Sequence, residues 1–258
     1  MAEKFGIKEV MDVTFYNVET GEPVLFVDSL KMSTLENTAE EVEARGGRGN
    51  PVLITWDYNR EAEFTIQDAL ISFEGLSLLT GVANEKKDDI VLYKRETLPV
   101  TATAAELSET PVDPETGEPD DDYVFVYDAA TGIAGGTVSG ASVSGKNVTD
   151  LGAIDNILVY YPYKHDQSGE DQKIDVVEVS SADFPGTYRI VGDTIVRNVD
   201  GVDEPFQLVV ERAKVRPGFS LTMEAEGDPS VFDMNLRVMK PAATTKMVQM
   251  IKYKELTS

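Results

Sequence analysis

His165 is the single histidine of a 258-residue chain, and it lies beside a carboxylate in the polar segment Lys164–Gly169 (K-H-D-Q-S-G). An acid, a histidine and a serine are the residue types of a Ser/His/Asp catalytic relay. Neighbours in sequence do not easily converge on one another, and the G-x-S-x-G turn that presents a nucleophilic serine is missing from this segment. Because a polar turn between two strands explains these residues, we expect no catalytic residues and no enzymatic activity.

The many carboxylates also suggest two kinds of site. A glycosidase needs two carboxylates at a defined separation together with aromatic platforms, and Trp56 is the single tryptophan. An EF-hand needs D-x-D-x-D-G spacing and a distal glutamate, which Asp113–Gly117 (D-P-E-T-G) lacks. We therefore expect a solvated acidic surface without a metal site. Irregularly ligated calcium and a carbohydrate-binding or hydrolytic β module stay open as alternatives.

Two glycine-rich segments resemble phosphate-binding loops only in composition. Arg45–Gly49 (R-G-G-R-G) is a single RGG-like element in a chain of net charge −23. A hairpin tip that approaches neighbouring backbone explains its glycines better. Gly132–Gly136 (G-I-A-G-G) lacks the G-x-G-x-x-G spacing of a dinucleotide-binding loop. The sequence therefore predicts no cofactor.

The composition narrows the class of protein further. The absence of cysteine excludes disulfides, thiol nucleophiles and thiolate metal sites. The net charge of −23 would repel nucleic-acid backbones and anionic membranes from most of the surface. Residues 100–184 carry 17 acidic and 3 basic residues, so the charge is concentrated there. No apolar run is long enough to span a membrane, and Met1–Phe5 has no apolar signal segment, so we expect a soluble protein made in a cytoplasm.

The first third of the chain has mostly strand signals. Glu9–Val18 and Pro23–Leu30 predict a β-hairpin with Gly21 at positive φ. Lys31–Ala44 is predicted as a long strand, although T-A-E-E-V-E-A within it favours a helix by propensity. A loop over residues 45–51 follows. Val52–Tyr58 and Glu61–Ile66 are then predicted as a second hairpin that turns at Asn59-Arg60.

One short helix is predicted between Ser72 and Gly81. Ser72 can cap it, Glu74 lies in its first turn, and Gly81 suits the position after its C-terminus. Further along, residues 106–122 contain eight acids, three prolines and no base, which predicts an extended or mobile connector that cannot order itself.

The remaining strands predict two domains. Four short strands with polar turns are typical of a small β-sandwich; they are Tyr123–Asp128, Thr137–Ser144, Asn156–Tyr163 and Lys173–Val179. Longer strands follow: a predicted meander of Phe206–Lys214, Phe219–Glu226 and Val231–Met239, and a last strand, Lys246–Tyr253. The sequence thus predicts a mainly β protein, with a main domain at 1–99 and 185–258 and an acidic module inserted at 100–184.

Six segments of the chain resemble the major tail tube proteins of long-tailed bacteriophages. They are F-G-I-K-E-V-M-D-V-T-F-Y (Phe5–Tyr16), G-G-R-G-N-P (Gly46–Pro51), W-D-Y-N-R (Trp56–Arg60), Q-D-A-L-I-S (Gln67–Ser72), F-P-G-T-Y-R-I-V-G-D-T (Phe184–Thr194) and T-M-E-A-E-G-D-P-S-V-F-D (Thr222–Asp233). The resemblance covers the main domain, whereas the insert resembles a generic Ig-like module.

This resemblance implies a β-sandwich or barrel-like subunit with a flanking helix, six copies of which close into a ring. Rings would stack into a tube in the virion tail, assembled in the host cytoplasm, through which genomic DNA passes. Implied partners are other copies, tail sheath, baseplate initiator or terminator proteins and DNA in transit, without a membrane. A capsid decoration or other tail-associated protein is the alternative within the virion.

The resemblance also implies which residues face the lumen or a neighbouring subunit. An acidic wall would repel phosphate and keep passing DNA from sticking. Candidate lumen residues are Glu36, Glu40, Glu43, Glu63 and Glu211. Candidate contacts between subunits are Arg45, Gly46, Gly47, Arg48 and Gly49 at the predicted hairpin tip.

Overall fold

The computed structural model describes residues 4–166, 173–223, 225 and 231–254. It is mainly β, with several antiparallel sheets, which confirms the predicted fold class. The chain divides into unit 1, Met1–Asn84 with Val177–Ser258, and unit 2, Glu85–Val176. In chain order the strands within the described residues are β1 Phe5–Ile7, β2 Asp12–Asn17, β3 Pro23–Val27, β4 Leu30–Arg45, β5 Val52–Asp68, β6 Glu85–Lys87, β7 Asp89–Pro99, β8 Ala105–Glu106, β9 Phe125–Asp128, β10 Ser142–Ser144, β11 Asn147–Thr149, β12 Asn156–Asp166, β13 Ile174–Val176, β14 Thr187–Asn198, β15 Asp203–Val215, β16 Phe232–Val238 and β17 Val248–Lys252.

Unit 1 is built on one antiparallel sheet with the order β3-β2-β14-β15-β16-β5-β4. β1 pairs with β14 beside β2, and β17 pairs with the first half of β15, at Phe206–Val210. The second half of β15, Ala213–Val215, pairs with β16. One long strand therefore joins two parts of the sheet, and Glu211 and Arg212 form a bulge opposite Arg189 at the junction.

The sheet must curl, because its two outer strands are consecutive in the chain. β3 ends at Val27 and β4 begins at Leu30, so only two residues separate the opposite ends of the strand order. Alternate residues of the strands, Phe15, Phe64, Ile190 and Leu236 among them, are fully buried in the enclosed core. On the outer face, β5 and β16 carry polar side chains, including Glu61, Glu63 and Arg237.

The predicted helix is confirmed as α1, Phe73–Thr80. The Ser72 hydroxyl accepts a hydrogen bond from the Gly75 backbone N–H at 3.0 Å, and Gly81 adopts φ 79° at the C-terminus. A Cβ on Gly81 would lie 2.2 Å from the Phe184 carbonyl oxygen, so this close approach also requires glycine. Leu78 and Leu79 are buried in the core of unit 1.

The predicted long strand at Lys31–Ala44 is confirmed as β4, but the predicted hairpin at Asn59-Arg60 is wrong. β5 runs without interruption for 17 residues and pairs with β4 along its length. Asn59 and Arg60 lie together opposite Ala39, and Asn59 adopts φ 49°. This is a β-bulge rather than a turn: asparagine tolerates the left-handed conformation, so a turn-like pair is accommodated inside a strand.

Unit 2 contains a three-stranded sheet, β7-β12-β9, and a smaller one, β10-β11-β8, around a separate core. The sequence-based boundaries at 99/100 and 184/185 differ from the division at 84/85 and 176/177. β7, which the sequence analysis placed in the main domain, lies in unit 2 because it pairs with β12 over eleven residue pairs.

The prediction that residues 106–122 cannot order themselves is wrong. Leu107 and Val112 are buried, and Val112 pairs with Pro119 in an isolated bridge. Asp113 accepts hydrogen bonds from the Glu115 and Thr116 backbone N–H groups and so closes a tight turn. Two apolar side chains and local turns thus anchor a segment whose average composition is highly polar.

Differences in the other strands are smaller. The first hairpin is confirmed, with Gly21 at φ 75°, although its strands are the shorter β2 and β3. Thr137–Ser144 is a strand only at β10. In the predicted strand Phe219–Glu226, residues 219–223 and 225 are not a strand, and residues 224 and 226 lie outside the described residues. The last predicted strand is confirmed as β17.

Candidate functional site

The side of β4 and β5 that faces away from the core carries two of the candidate lumen carboxylates. Glu36 on β4 lies directly opposite Glu63 on β5. Their neighbours Leu35 and Phe64 face the core, so alternation along the strands places both carboxylates on the polar face. The structure thus brings together two residues that are 27 positions apart in sequence.

Arginines offset the charge of this carboxylate pair. Arg216 Nε lies 2.9 Å from Glu63 Oε1. Arg237, directly opposite Glu63 on β16, contacts Glu61 at 2.6 Å instead. Glu36 has no ion pair with any described residue. The polar face is therefore a mixed surface of carboxylates and guanidinium groups, rather than a uniformly acidic one.

Glu211 lies apart from the other candidates, at the bulge of β15. Its Oε2 is 3.1 Å from the Arg189 guanidinium, and its Oε1 accepts a hydrogen bond from the Gln249 side-chain amide nitrogen Nε2 at 2.7 Å. Its side chain is 18% exposed. Glu211 is thus a mostly buried, paired carboxylate that fastens β14 and β17 to β15.

Glu40 and Glu43 lie on opposite sides of β4. Residues an even number of positions apart share a side of a strand, so Glu36 and Glu40 share one side and Glu43 lies on the other. Asn59 Nδ2 donates to Glu40 Oε1 at 2.9 Å, and this hydrogen bond, with one from Tyr58, lowers the pKa of Glu40. Glu43 accepts from Arg45 Nε at 2.8 Å. The five candidates therefore do not form one acidic surface.

We call the part of the β4–β5 hairpin beyond the bulge, Glu40–Tyr58, the arm. The extra residue at Asn59-Arg60 shifts the alternation of β5, so Tyr58 and Trp56 lie on the same side as Glu61 and Glu63. The polar face of the sheet consequently continues into an apolar side of the arm, with Val42 opposite Trp56. Both are half exposed, at 50% and 51%.

The other side of the arm is acidic. Glu41 lies directly opposite Asp57, and Glu43 lies opposite Thr55. No described residue forms an ion pair or a side-chain hydrogen bond with Glu41 or Asp57. Like charges opposite one another destabilise a strand pair, so this side would be stabilised by cations from outside the hairpin.

The tip of the arm is the loop predicted to contact other subunits. Gly47 and Gly49 adopt positive φ values of 84° and 92°, which require glycine in a turn this tight. The Gly46 N–H donates to the Pro51 carbonyl at 3.2 Å and closes the loop. Arg45 is paired with Glu43, whereas Arg48 is exposed and forms no ion pair with a described residue.

Sequence reasoning missed a basic cleft at the base of the arm. The cleft has a volume of about 720 Å³ and lies in unit 1. Its lining includes five cationic residues: Arg60, Lys214, Arg216, Arg237 and Lys240. These come from β5, β15, β16 and the segments that follow β15 and β16, so no local run of basic residues could have revealed it.

The segment around His165 is described as far as Asp166. His165 lies in β12 opposite Ile90 on β7. Its ring is packed edge-on against the Tyr163 ring, with 6.1 Å between the two ring centroids. Ser168 and Gly169 lie outside the described residues. In the described part of the chain, no three acidic or histidine side chains are grouped so that they could hold a metal ion. Of the helices described, none is long and apolar enough to cross a membrane.

Comparison with known proteins supports the tube resemblance. The model of the YomU/Tube protein family matches residues 5–253, which is nearly the whole chain and includes both units. A search of curated proteins found no match. The match and the β-rich fold support a phage tube-type structural protein, a component of the virion tail. With a match of this extent, the chain belongs to the YomU/Tube protein family.

Proposed function

We propose that this protein is the subunit of a phage tail tube. Rings of six subunits stack into a tube that conducts genomic DNA during ejection. The arm is the observation that carries the proposal. It extends β4 and β5 beyond the sheet and leaves apolar side chains half exposed, including Val42, Ile54 and Trp56. Exposed apolar surface of this kind is typical of an interaction site.

A ring also accounts for the outer strands of the unit 1 sheet. Among the described residues, β4 pairs with β5 alone, so its other edge presents free backbone groups along 16 residues. Unpaired edges of this length tend to pair with other chains. Closure of several subunits into one barrel would satisfy these groups, and rotational symmetry gives every subunit the same two neighbours.

The polar face of β4 and β5 is the surface that we assign to the lumen. Its carboxylates Glu36 and Glu63 would repel the phosphate groups of DNA, while Arg216 and Arg237 make the electrostatic potential of this surface less negative. Glu40 continues this side toward the arm. Conduction needs a wall to which DNA does not adhere, and the role is passive: no catalytic residue, cofactor or metal is required.

The proposed partners follow from this role. Other copies of the chain make the ring and stacking contacts, and tail proteins such as sheath, baseplate initiator or terminator bind the ends or the outside of the tube. DNA is a transient occupant. Unit 2 carries 19 acidic and 7 basic residues, and this charge would favour solubility of the subunit.

Negative-stain electron microscopy with light scattering over a concentration series tests the proposal. We expect six-fold rings or hollow tubes that increase with protein concentration. Addition of preformed tail ends would provide the initiator if assembly requires one. A protein that stays monomeric at high concentration, with and without such ends, would contradict the proposed function.

A further inference from the structure

We propose that the basic cleft at the base of the arm binds the acidic side of the arm of a second copy of this chain. This inference deepens the proposed function and rests on it, since it specifies which two surfaces meet between neighbouring subunits. The cleft contributes cations and apolar side chains, and the arm contributes carboxylates and an apolar side.

The cleft holds cationic charge that the described residues do not neutralise. Arg216 and Arg237 are paired with Glu63 and Glu61. None of the residues described in the structure forms an ion pair with Arg60, Lys214 or Lys240, which are all exposed. Three cations without partners in one cleft are unusual in a protein of net charge −23, and they would attract an acidic segment.

The arm carries carboxylates that lack cations in the same way. The two opposed carboxylate pairs of the hairpin differ in this respect: the Glu36/Glu63 pair has Arg216, whereas Glu41 and Asp57 have no cation among the described residues. Both pairs carry the cost of like charges placed directly opposite one another. A cation from a second copy would offset that cost at Glu41 and Asp57.

The apolar parts of the two surfaces also correspond. Pro217, Met239 and Met247 line the cleft between its cations. The arm presents Val42 and Trp56 on the side opposite its carboxylates, each half exposed. Methionine side chains adapt to irregular apolar partners. The cleft therefore offers cations to the carboxylates of the arm and apolar side chains to the half-exposed apolar residues beside them.

The geometry favours a second copy over a contact within one chain. The arm begins at the cleft, since Asn59 and Arg60 at the bulge line it, and six residue pairs carry the arm outward from Glu40/Tyr58 to its tip. The arm makes no ion pair with Arg60, Lys214 or Lys240 of its own chain. Because arm and cleft are different surfaces, their contact is heterologous, and repeated heterologous contacts close into a ring when the rotation allows.

Charge reversal on each surface, followed by mixing, tests the inference. One variant carries Lys214→Glu with Lys240→Glu, and the other carries Glu41→Lys with Asp57→Lys. Each places like charges at the contact, so each alone should raise the concentration needed for assembly about a hundredfold. An equimolar mixture of the two variants should assemble near the wild-type concentration, because every contact then joins opposite charges.

Lys4→Glu with Lys8→Glu serves as the matched control, since both lysines are exposed on unit 1, lie outside β4 and are absent from the cleft lining. It should assemble as wild type does. Circular dichroism and urea unfolding verify that all variants fold. Sedimentation velocity and electron microscopy measure assembly, and salt should weaken the wild-type assembly because the contact is electrostatic.

The outcomes separate this inference from the proposed function. Wild-type rings together with unchanged assembly of both variants would overturn the arm–cleft contact and leave the tube function standing. Failure of the mixture to assemble would overturn it too. If wild type binds a double-stranded DNA oligonucleotide, and the cleft variant loses that binding while it still assembles, nucleic acid is the occupant and the inference is wrong. Absence of wild-type assembly would contradict both proposals.

Discussion

Arg216 Nε lies 2.9 Å from Glu63 Oε1, and Glu63 lies directly opposite Glu36 in the strand pair. The guanidinium thus allows two acids to face one another across β4 and β5. Arg216→Ala should lower the free energy of unfolding by about 1 kcal/mol, since it removes an exposed ion pair and leaves like charges opposed. Urea unfolding at neutral pH measures the change.

A double-mutant cycle supplies the control for this first prediction. Glu36→Gln removes one of the opposed charges, so it should restore part of the stability lost by Arg216→Ala. The exposed pair Arg45–Glu43 has no opposed carboxylate. Arg45→Ala should therefore lower the free energy of unfolding by less than Arg216→Ala does. Equal effects of the two arginine substitutions would show that Arg216 does not offset the Glu36/Glu63 repulsion.

Phage carrying Glu36→Lys with Glu40→Lys should form tubes but release DNA more slowly. Both residues lie on the side of β4 that we assign to the lumen, and lysines there would attract phosphate. A time-resolved assay of DNA ejection, started by addition of the host receptor, measures the rate of DNA release. Glu19→Lys with Glu22→Lys, in the exposed turn after β2, is the matched charge reversal. Ejection at the wild-type rate in the first variant would remove Glu36 and Glu40 from the lumen wall.

Sequence signals predict an element correctly where the residues that determine it lie close together in the chain. Ser72 and Gly81 define α1 because a cap and a left-handed residue act within a few positions. Asn59-Arg60 was misassigned because the same residue types suit a turn and a bulge, and only the pairing of β5 with β4 and β16 distinguishes them. Strand pairing depends on contacts distant in sequence, which no local pattern contains.

The candidate site was predictable to the same limited extent. Alternation along β4 places Glu36 and Glu40 together and Glu43 apart, and this much is readable from residue spacing. The arginines that pair with Glu63 and Glu211 come from strands far away in the chain. The basic cleft likewise combines residues of β5, β15 and β16 with residues of the segments after β15 and β16. Net charge, summed over the whole chain, conceals a local surface of the opposite sign.

Removal of residues 85–176, with Asn84 joined to Val177 by a short Gly-Ser linker, should leave a folded protein that still assembles. The unit 1 sheet keeps all of its strand pairs, and Glu85 lies directly opposite Val176, so the two chain ends to be joined are close. Removal of 100–184 should instead destabilise the protein, because β7 would lose its partner β12. Circular dichroism, urea unfolding and electron microscopy compare the two. An unfolded 85–176 deletion would show that unit 1 depends on unit 2.

Glu204 should make the stability of unit 1 depend on pH. Its carboxylate is 5% exposed and contacts Lys252 at 2.5 Å, and this ammonium, with Lys254, lowers the pKa of Glu204. A lowered folded-state pKa means that the pair stabilises the fold above the ordinary value of 4.5 and that this stabilisation is lost as pH falls through the folded-state pKa. Glu204→Gln should therefore lower the urea midpoint at pH 7 and have much less effect near pH 3.

The neighbouring pair Arg197–Asp203 provides the control for the pH prediction. Asp203 is exposed and its pKa is also lowered, by Arg197. Because solvent screens exposed pairs, Asp203→Asn should change the urea midpoint less than Glu204→Gln does. A Glu204→Gln effect that is the same at pH 7 and pH 3 would assign its cause to packing rather than to charge.

Trp56 should report assembly directly, because it is the single tryptophan and lies half exposed on the apolar side of the arm. Its emission should shift to shorter wavelength, and acrylamide should quench it less, over the same concentration range in which rings form. Trp56→Ala should raise that concentration about thirtyfold, since a buried interface tryptophan contributes about 2 kcal/mol. Tyr93→Ala, which removes a 76% exposed ring of unit 2, should leave assembly unchanged. Rings that form without any change in Trp56 emission would place the arm outside the contact between subunits, because burial of the indole ring necessarily alters its surroundings.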